Sequence, residues 1–133
     1  GASFHQTLAS IAIQRGDAKA ALRDAQQGPA GSWKDLALAM ARQIGGDPVA
    51  ADAALRDVIA KYGDGNAYQI AEIYALRKQP QPMFEWLDRA WVNRDPGVSY
   101  LLYDPFLAPF RSDPRFAAFC KKVGLPPPSS RPA

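Results

Sequence analysis

The chain has one cysteine and one histidine in 133 residues. A single thiol, Cys120, excludes an internal disulfide and any four-cysteine zinc site. A single imidazole, His5, leaves little material for a histidine-based metal site or a catalytic triad. β-Branched residues are scarce as well: Val, Ile and Thr together number 12, against 24 Ala. That balance disfavours sheet and favours helix. No apolar run approaches the roughly 18 residues a membrane span needs. No basic segment followed by an apolar run marks a signal peptide.

Catalytic signatures are missing too. Gly45-Gly46-Asp47 and Gly63-Asp64-Gly65 lack the Lys-Ser/Thr that completes a phosphate loop. Asp64-Gly65-Asn66 lacks the remaining ligands and closing Glu of an EF-hand. No Gly-x-Ser-x-Gly elbow occurs. Glu72 and Glu85 read as surface residues rather than an acid–base pair, with Glu72 facing solvent or a groove and Glu85 pairing with Arg89 one turn on. Cys120, beside Phe119 on an amphipathic segment, reads as a buried or half-buried structural thiol. The expectation is a protein that is not an enzyme and needs no cofactor or metal.

Charge is modest, at +3. It gathers at the end, where Arg111, Arg115, Lys121, Lys122 and Arg131 face only Asp113. The run is short and broken by Phe and Pro, so it reads as a solvated helix face rather than a nucleic-acid or lipid site. Gly1-Ala2-Ser3 reads as a cloning remnant, and the chain is expected to be a piece of a longer protein. Residues 126–133, rich in proline, are expected to be a disordered tail. The lone thiol and missing leader point to the cytoplasm, with the periplasm the alternative.

What remains is a hydrophobic content of 47% arranged in helical blocks. Gly-Asp, Gly-Pro and Pro-x-Pro breakers separate runs expected as helices over 3–15, 17–27, 32–45, 48–62, 66–78 and 81–93. Asp95, Asp104 and Asp113 each precede Pro. Asp followed by Pro is the chemistry of a helix start, so short helices are expected near 96–103, 105–109 and 114–123, with Phe106, Phe110, Phe116 and Phe119 packed against Trp86, Leu87, Ala90 and Trp91. An acid-catalytic reading of these aspartates is weaker than the capping one.

The blocks repeat. Ala21, Ala51 and Met83 stand 30 and 32 residues apart. Leu8, Leu38 and Ile70 lie thirteen residues upstream of them, Ala9, Ala39 and Ala71 twelve upstream, and Ala25, Leu55 and Leu87 four downstream. A bulky residue followed by a small one lets a second helix approach to about 8–10 Å. A shared period of this size signals stacked helical hairpins.

At these residues the sequence resembles a tetratricopeptide-repeat protein. Leu8-Ala9, Leu38-Ala39 and Ile70-Ala71 match the family's large-then-small pair, Ala21 and Ala51 its second-helix alanine, Ala90 the later one, and Tyr74 its first-helix aromatic. Ala12, Arg42 and Met83 depart from the pattern, and the usual Trp and inter-repeat Pro are missing. Arg94-Asp95-Pro96-Gly97, Asp104-Pro105-Phe106-Leu107 and Arg111-Ser112-Asp113-Pro114-Arg115-Phe116 are similar to the C-terminal ends of bacterial multidomain regulators. In those proteins such repeats follow class III adenylate cyclase, winged-helix or kinase domains.

The resemblance implies an all-α fold: a right-handed α-solenoid of about three hairpins over 4–93, closed by short capping helices over 94–125. It implies a protein–protein interaction module that holds a protein or peptide in a concave groove. The alternative is a sensory or regulatory domain that controls an attached effector, with self-association as one means. Direct nucleic-acid binding and membrane insertion are not expected. Projection places Gln6, Ser10 and Ile13 on the groove from the first helix. Trp33, Leu36, Met40 and Gln43 follow from the third, and Tyr68, Gln69, Glu72 and Leu76 from the fifth. Gln6, Leu36 and Tyr68 stand where relatives that clamp acidic peptide tails carry Lys and Asn, so that binding mode is not expected.

Overall fold

The computed structural model describes residues 2–126 and 128. Seven α-helices follow one another: α1 (Ala2–Gln14), α2 (Ala18–Gln26), α3 (Ser32–Ile44), α4 (Pro48–Tyr62), α5 (Ala67–Leu76), α6 (Pro80–Val92) and α7 (Pro114–Val123). Two 3-10 segments, Pro96–Tyr103 and Ala108–Phe110, lie between α6 and α7. No strand occurs among the described residues, so the all-α expectation is met. Helix starts at the remnant Ala2-Ser3 rather than after it. Six of the eight residues of the expected tail lie outside the described residues.

The hairpin turns show how breakers set the boundaries. Gly16 takes φ +73° and Gly46 +81°, a left-handed conformation that ends a helix without a Cβ penalty. Asp17 and Asp47 then cap the next helix by accepting from Ala20 N at 3.0 Å and Ala50 N at 3.2 Å. The same turn recurs at Lys78 (φ +59°) and Arg94 (φ +56°), where side chains occupy the glycine's place. Gln79 N bonds to Tyr74 O and Asp95 N to Ala90 O, as Asp17 N does to Ala12 O.

The chain forms two compact units, Gly1–Gly63 and Asp64–Ala133. In the first, α1 packs on α2 and also on α3, α2 packs on α3, and α3 packs on α4. Alanines make the crossings: Ala9, Ala25 and Ala37 form one buried cluster, with Trp33 and Leu38 against it. A Cβ on Gly28 would collide with the edge of the Trp33 ring at Cζ3, so glycine there admits the indole. Ile13, Leu36, Met40, Leu55 and Val58 fill the remaining core.

In the second unit, α5 packs on α6, the longer 3-10 segment covers both, and α7 packs on α6. Ala71, at 0% exposure, sits at the crossing its register requires, and Ala90 is equally closed off. Phe116 and Phe119 are buried with Met83, Leu87 and Cys120, as a cap over α6 demands. Phe106 and Phe110 are only half-buried. Trp91, expected beneath the cap, is 41% exposed and faces outward, while Trp86 takes the covered position.

The segment after Asp104 also departs from expectation. It forms a turn over 105–107 and then Ala108–Phe110, not a helix over 105–109. Pro109 has no N–H to return to Pro105, so an α-helical ladder fails there.

On the surface, Arg89 does not pair with Glu85. It stacks over Trp86 at 4.0 Å and reaches Asp64 at 3.6 Å, while Glu85 accepts from Gln81. The late basic groups have local uses: Lys122 bridges to Asp88 on α6, Arg115 to Asp113, and Arg111 donates to Leu102 O.

Two outcomes test this packing. Ala71→Leu is expected to destabilise the protein by about 1–3 kcal/mol through overpacking, read as a lowered denaturation midpoint. Lys78→Gly relieves a left-handed side-chain conformation and is expected to raise that midpoint by up to about 1 kcal/mol, a gain limited by the freer unfolded chain.

Candidate functional site

The residues expected on a groove divide by burial. In the first unit Gln6 is exposed, and Ser10, Trp33 and Gln43 are half-buried. Ser10 Oγ accepts from Gln14 Nε2 at 3.3 Å. Ile13, Leu36 and Met40 are buried, because the α1–α2–α3 arrangement draws those apolar positions into the core. In the second unit Gln69 and Leu76 are half-buried, and Gln69 accepts from Asn66. Tyr68 and Glu72, expected on the binding face, are instead buried.

The burial of Tyr68 and Glu72 has a definite cause. Tyr68 lies in the first turn of α5, where backbone N–H groups lack helical partners. Asn66 makes no side-chain cap there. Asp95, from beyond α6, supplies the acceptor instead: its Oδ2 takes Tyr68 N at 3.1 Å and its Oδ1 takes Gly97 N at 2.9 Å. A carboxylate at this helix end is also favoured by the dipole. Gly97 lies directly on the Tyr68 ring, and a Cβ there would meet it at 2.6 Å.

The hydroxyl end of Tyr68 donates to Asp104 Oδ2 at 2.6 Å. Asp104 is fully buried, and its Oδ1 accepts from Phe106 N at 2.9 Å. Glu72, one turn along α5 from Tyr68, is hydrogen-bonded to the same carboxylate. Burial holds the Glu72 carboxyl well above the usual range, and the bond to Asp104 and the charges of Asp104 and Asp95 push the same way. These causes favour the neutral form of Glu72, whose hydroxyl then has the Asp104 carboxylate as its acceptor. Burial, then the Asp104 charge and hydrogen bond, likewise raise the Tyr68 phenol. Tyr100, nearby and largely exposed, is raised by desolvation, Asp104 and Glu72.

No family model, curated protein or solved structure matches this chain.

A proton shared between carboxylates is an arrangement that catalytic sites also use. Here the acceptor is sealed from solvent and engaged by Tyr68, Phe106 and Glu72. The group ties the segment after α6 to α5. Among the described residues no cluster of His, Cys, Asp or Glu has metal-binding geometry. Cys120 is fully buried, and burial raises its thiol. Among the described residues no helix is long and apolar enough to cross a membrane.

Two clefts offer open surface instead. In the second unit Trp91, Val98, Val123 and Leu125 bound about 660 Å³, with Arg94 and Asp95 at the edge. In the first, α3 and α4 enclose about 540 Å³ over Leu38, Ala39, Ala50, Ala54 and Val58, with Asp35, Arg42 and Asp57 at the rim. Asp35 accepts from the Tyr62 hydroxyl at 2.6 Å, and Asp57 pairs with Lys61 at 3.1 Å. Both rim carboxylates are thereby fixed in place. The signal for this cleft was present in sequence as the alanines at 50, 53 and 54.

The sign of the pH effect follows from Glu72. The folded state retains a proton that the unfolded chain releases in the ordinary glutamate range. The stabilisation is full below that range and is lost as pH rises through the higher folded-state value. Stability is expected to fall with rising pH by up to about 1.4 kcal/mol per pH unit in that window. Glu72→Gln retains a donor to Asp104 without titrating and should remove this slope. Denaturant melts of both proteins across pH measure it, and parallel profiles would refute the assignment.

Proposed function

We propose that this chain is a non-catalytic protein-interaction module built of tetratricopeptide-like hairpins stacked as a right-handed α-solenoid. The observation that carries the reading is the packing of α1 against α3 as well as α2. Contact between alternate helices is how successive hairpins stack, and stacking leaves first-helix faces free for a ligand. The buried register supports it: Ala9, Ala39 and Ala71 are all closed off, and so are Ala21, Ala51 and Met83.

A protein or peptide is the ligand class that such a surface suits. Of the projected groove residues, Gln6 is the exposed one in the first unit, and Leu76 is half-buried in the second. Both carry the test, since Ile13, Leu36, Met40, Tyr68 and Glu72 serve the core and would confound it. A partner is identified by crosslinking and purified. Gln6→Arg and Leu76→Arg are then each expected to weaken its binding at least tenfold without lowering the denaturation midpoint. Unchanged affinity in both variants would overturn the groove assignment.

A further inference from the structure

We propose that the cleft bounded by Trp91, Val98, Val123 and Leu125 is a binding site for an extended proline-rich segment, and that its occupant is the chain's own residues 126–130. The site belongs to the second unit alone, so it does not rest on how hairpins stack.

The cleft encloses about 660 Å³ where the ends of α6 and α7 meet the start of the Pro96–Tyr103 segment. Its walls are mostly apolar, and Val92 adds a side chain that is 75% exposed. Two of the polar groups at its edge are already engaged. Asp95 accepts from Tyr68 N and Gly97 N, and the Ser99 hydroxyl donates to Pro96 O. An occupant therefore gains little by offering unpaired backbone groups to these walls. A polyproline II segment has no internal hydrogen bonds and keeps its backbone in water, so it asks for none. What it needs is an aromatic face for its pyrrolidine rings. Trp91, at the end of α6 and 41% exposed, presents one.

The chain supplies such a segment at the cleft itself. Pro126-Pro127-Pro128-Ser129-Ser130 follows Leu125 directly, and Leu125 is one of the walls. Gly124 takes φ +79° at the end of α7, and Leu125 N returns to Cys120 O, which fixes where the prolines begin. Three consecutive prolines hold φ at about −65° and bar a helical continuation. Pro126 is exposed, but Pro128 is half-buried, so the chain lies against the protein again three residues beyond Leu125. Five residues in the polyproline II form span about 16 Å, long enough to carry the segment from Leu125 across the cleft. Tethering also raises its local concentration to the order of millimolar, so a contact too weak to form between separate molecules is still populated.

The test uses the full chain with Ser129→Cys labelled by bimane, a fluorophore that an indole quenches on contact. Cys120 is fully buried and stays unlabelled. Adding Trp91→Phe is expected to raise the emission at least twofold. Val92→Asp, at an exposed wall residue whose change leaves the denaturation midpoint that of the parent, is expected to raise it as well by releasing the segment. Pro126→Gly, Pro127→Gly and Pro128→Gly together keep the tether but remove its preformed shape, and the same rise is expected. Emission indifferent to both Trp91→Phe and Val92→Asp would overturn the proposal. So would quenching that survives the three glycines, since tethering alone would then explain it. Quenching that fades on dilution would overturn it too, because the occupant would then be the segment of a second copy.

Discussion

Tyr68 is held at both ends by carboxylates, and the second unit is organised around that double tie. Its backbone N–H goes to Asp95 and its hydroxyl to Asp104, two groups from the segment that follows α6. The first bond supplies a cap that the local residue Asn66 does not make. The second satisfies a carboxylate that is fully buried and would otherwise carry a heavy desolvation cost. Gly97 completes the arrangement by letting the backbone lie on the phenol ring. With these contacts in place, Leu101 and Leu107 are buried as well, and the aromatic cap over α6 follows.

Glu72 makes the tie sensitive to protonation. An ionised Glu72 would place a second negative charge against Asp104, with Asp95 also near, while every cause acting on Glu72 favours its neutral form. The protonated form instead adds a donor to the acceptor Tyr68 already uses. The first unit is organised differently. Its order comes from alanine at helix crossings and from Gly28 beneath Trp33, where lack of bulk is the organising feature.

Most of the helical architecture was legible from local chemistry. Gly16-Asp17 and Gly46-Asp47 are stop-and-start signals whose φ values and caps are those a short-range argument requires. The small residues at 9, 39 and 71 marked the crossings because nothing larger permits close approach. The binding face was harder to read. A helical projection separates faces, but it does not say which face a neighbouring segment will cover. Tyr68 and Glu72 lie on the side of α5 that the 3-10 segment covers, so residues polar enough for a surface became an internal hydrogen-bonded group. Trp91 shows the converse, an aromatic expected inside that faces out because Trp86 occupies the covered position.

The three Asp-Pro pairs locate where sequence reasoning stops. Each aspartate uses one oxygen identically: Asp95, Asp104 and Asp113 accept from the N–H two residues on, at Gly97, Phe106 and Arg115, each at 2.9 Å. That half of the geometry is local, and the dipeptide dictates it. The second oxygen differs in every case. Asp95 takes a backbone N–H from α5, Asp104 takes a phenol from the same helix, and Asp113 pairs with its neighbour Arg115 at the surface. The two partners on α5 lie 27 and 36 residues away, beyond any window in which a short motif carries information. A carboxylate that caps with one oxygen still has another free to bond across the fold. Tertiary contact alone decides whether that second bond ends in solvent or in the core.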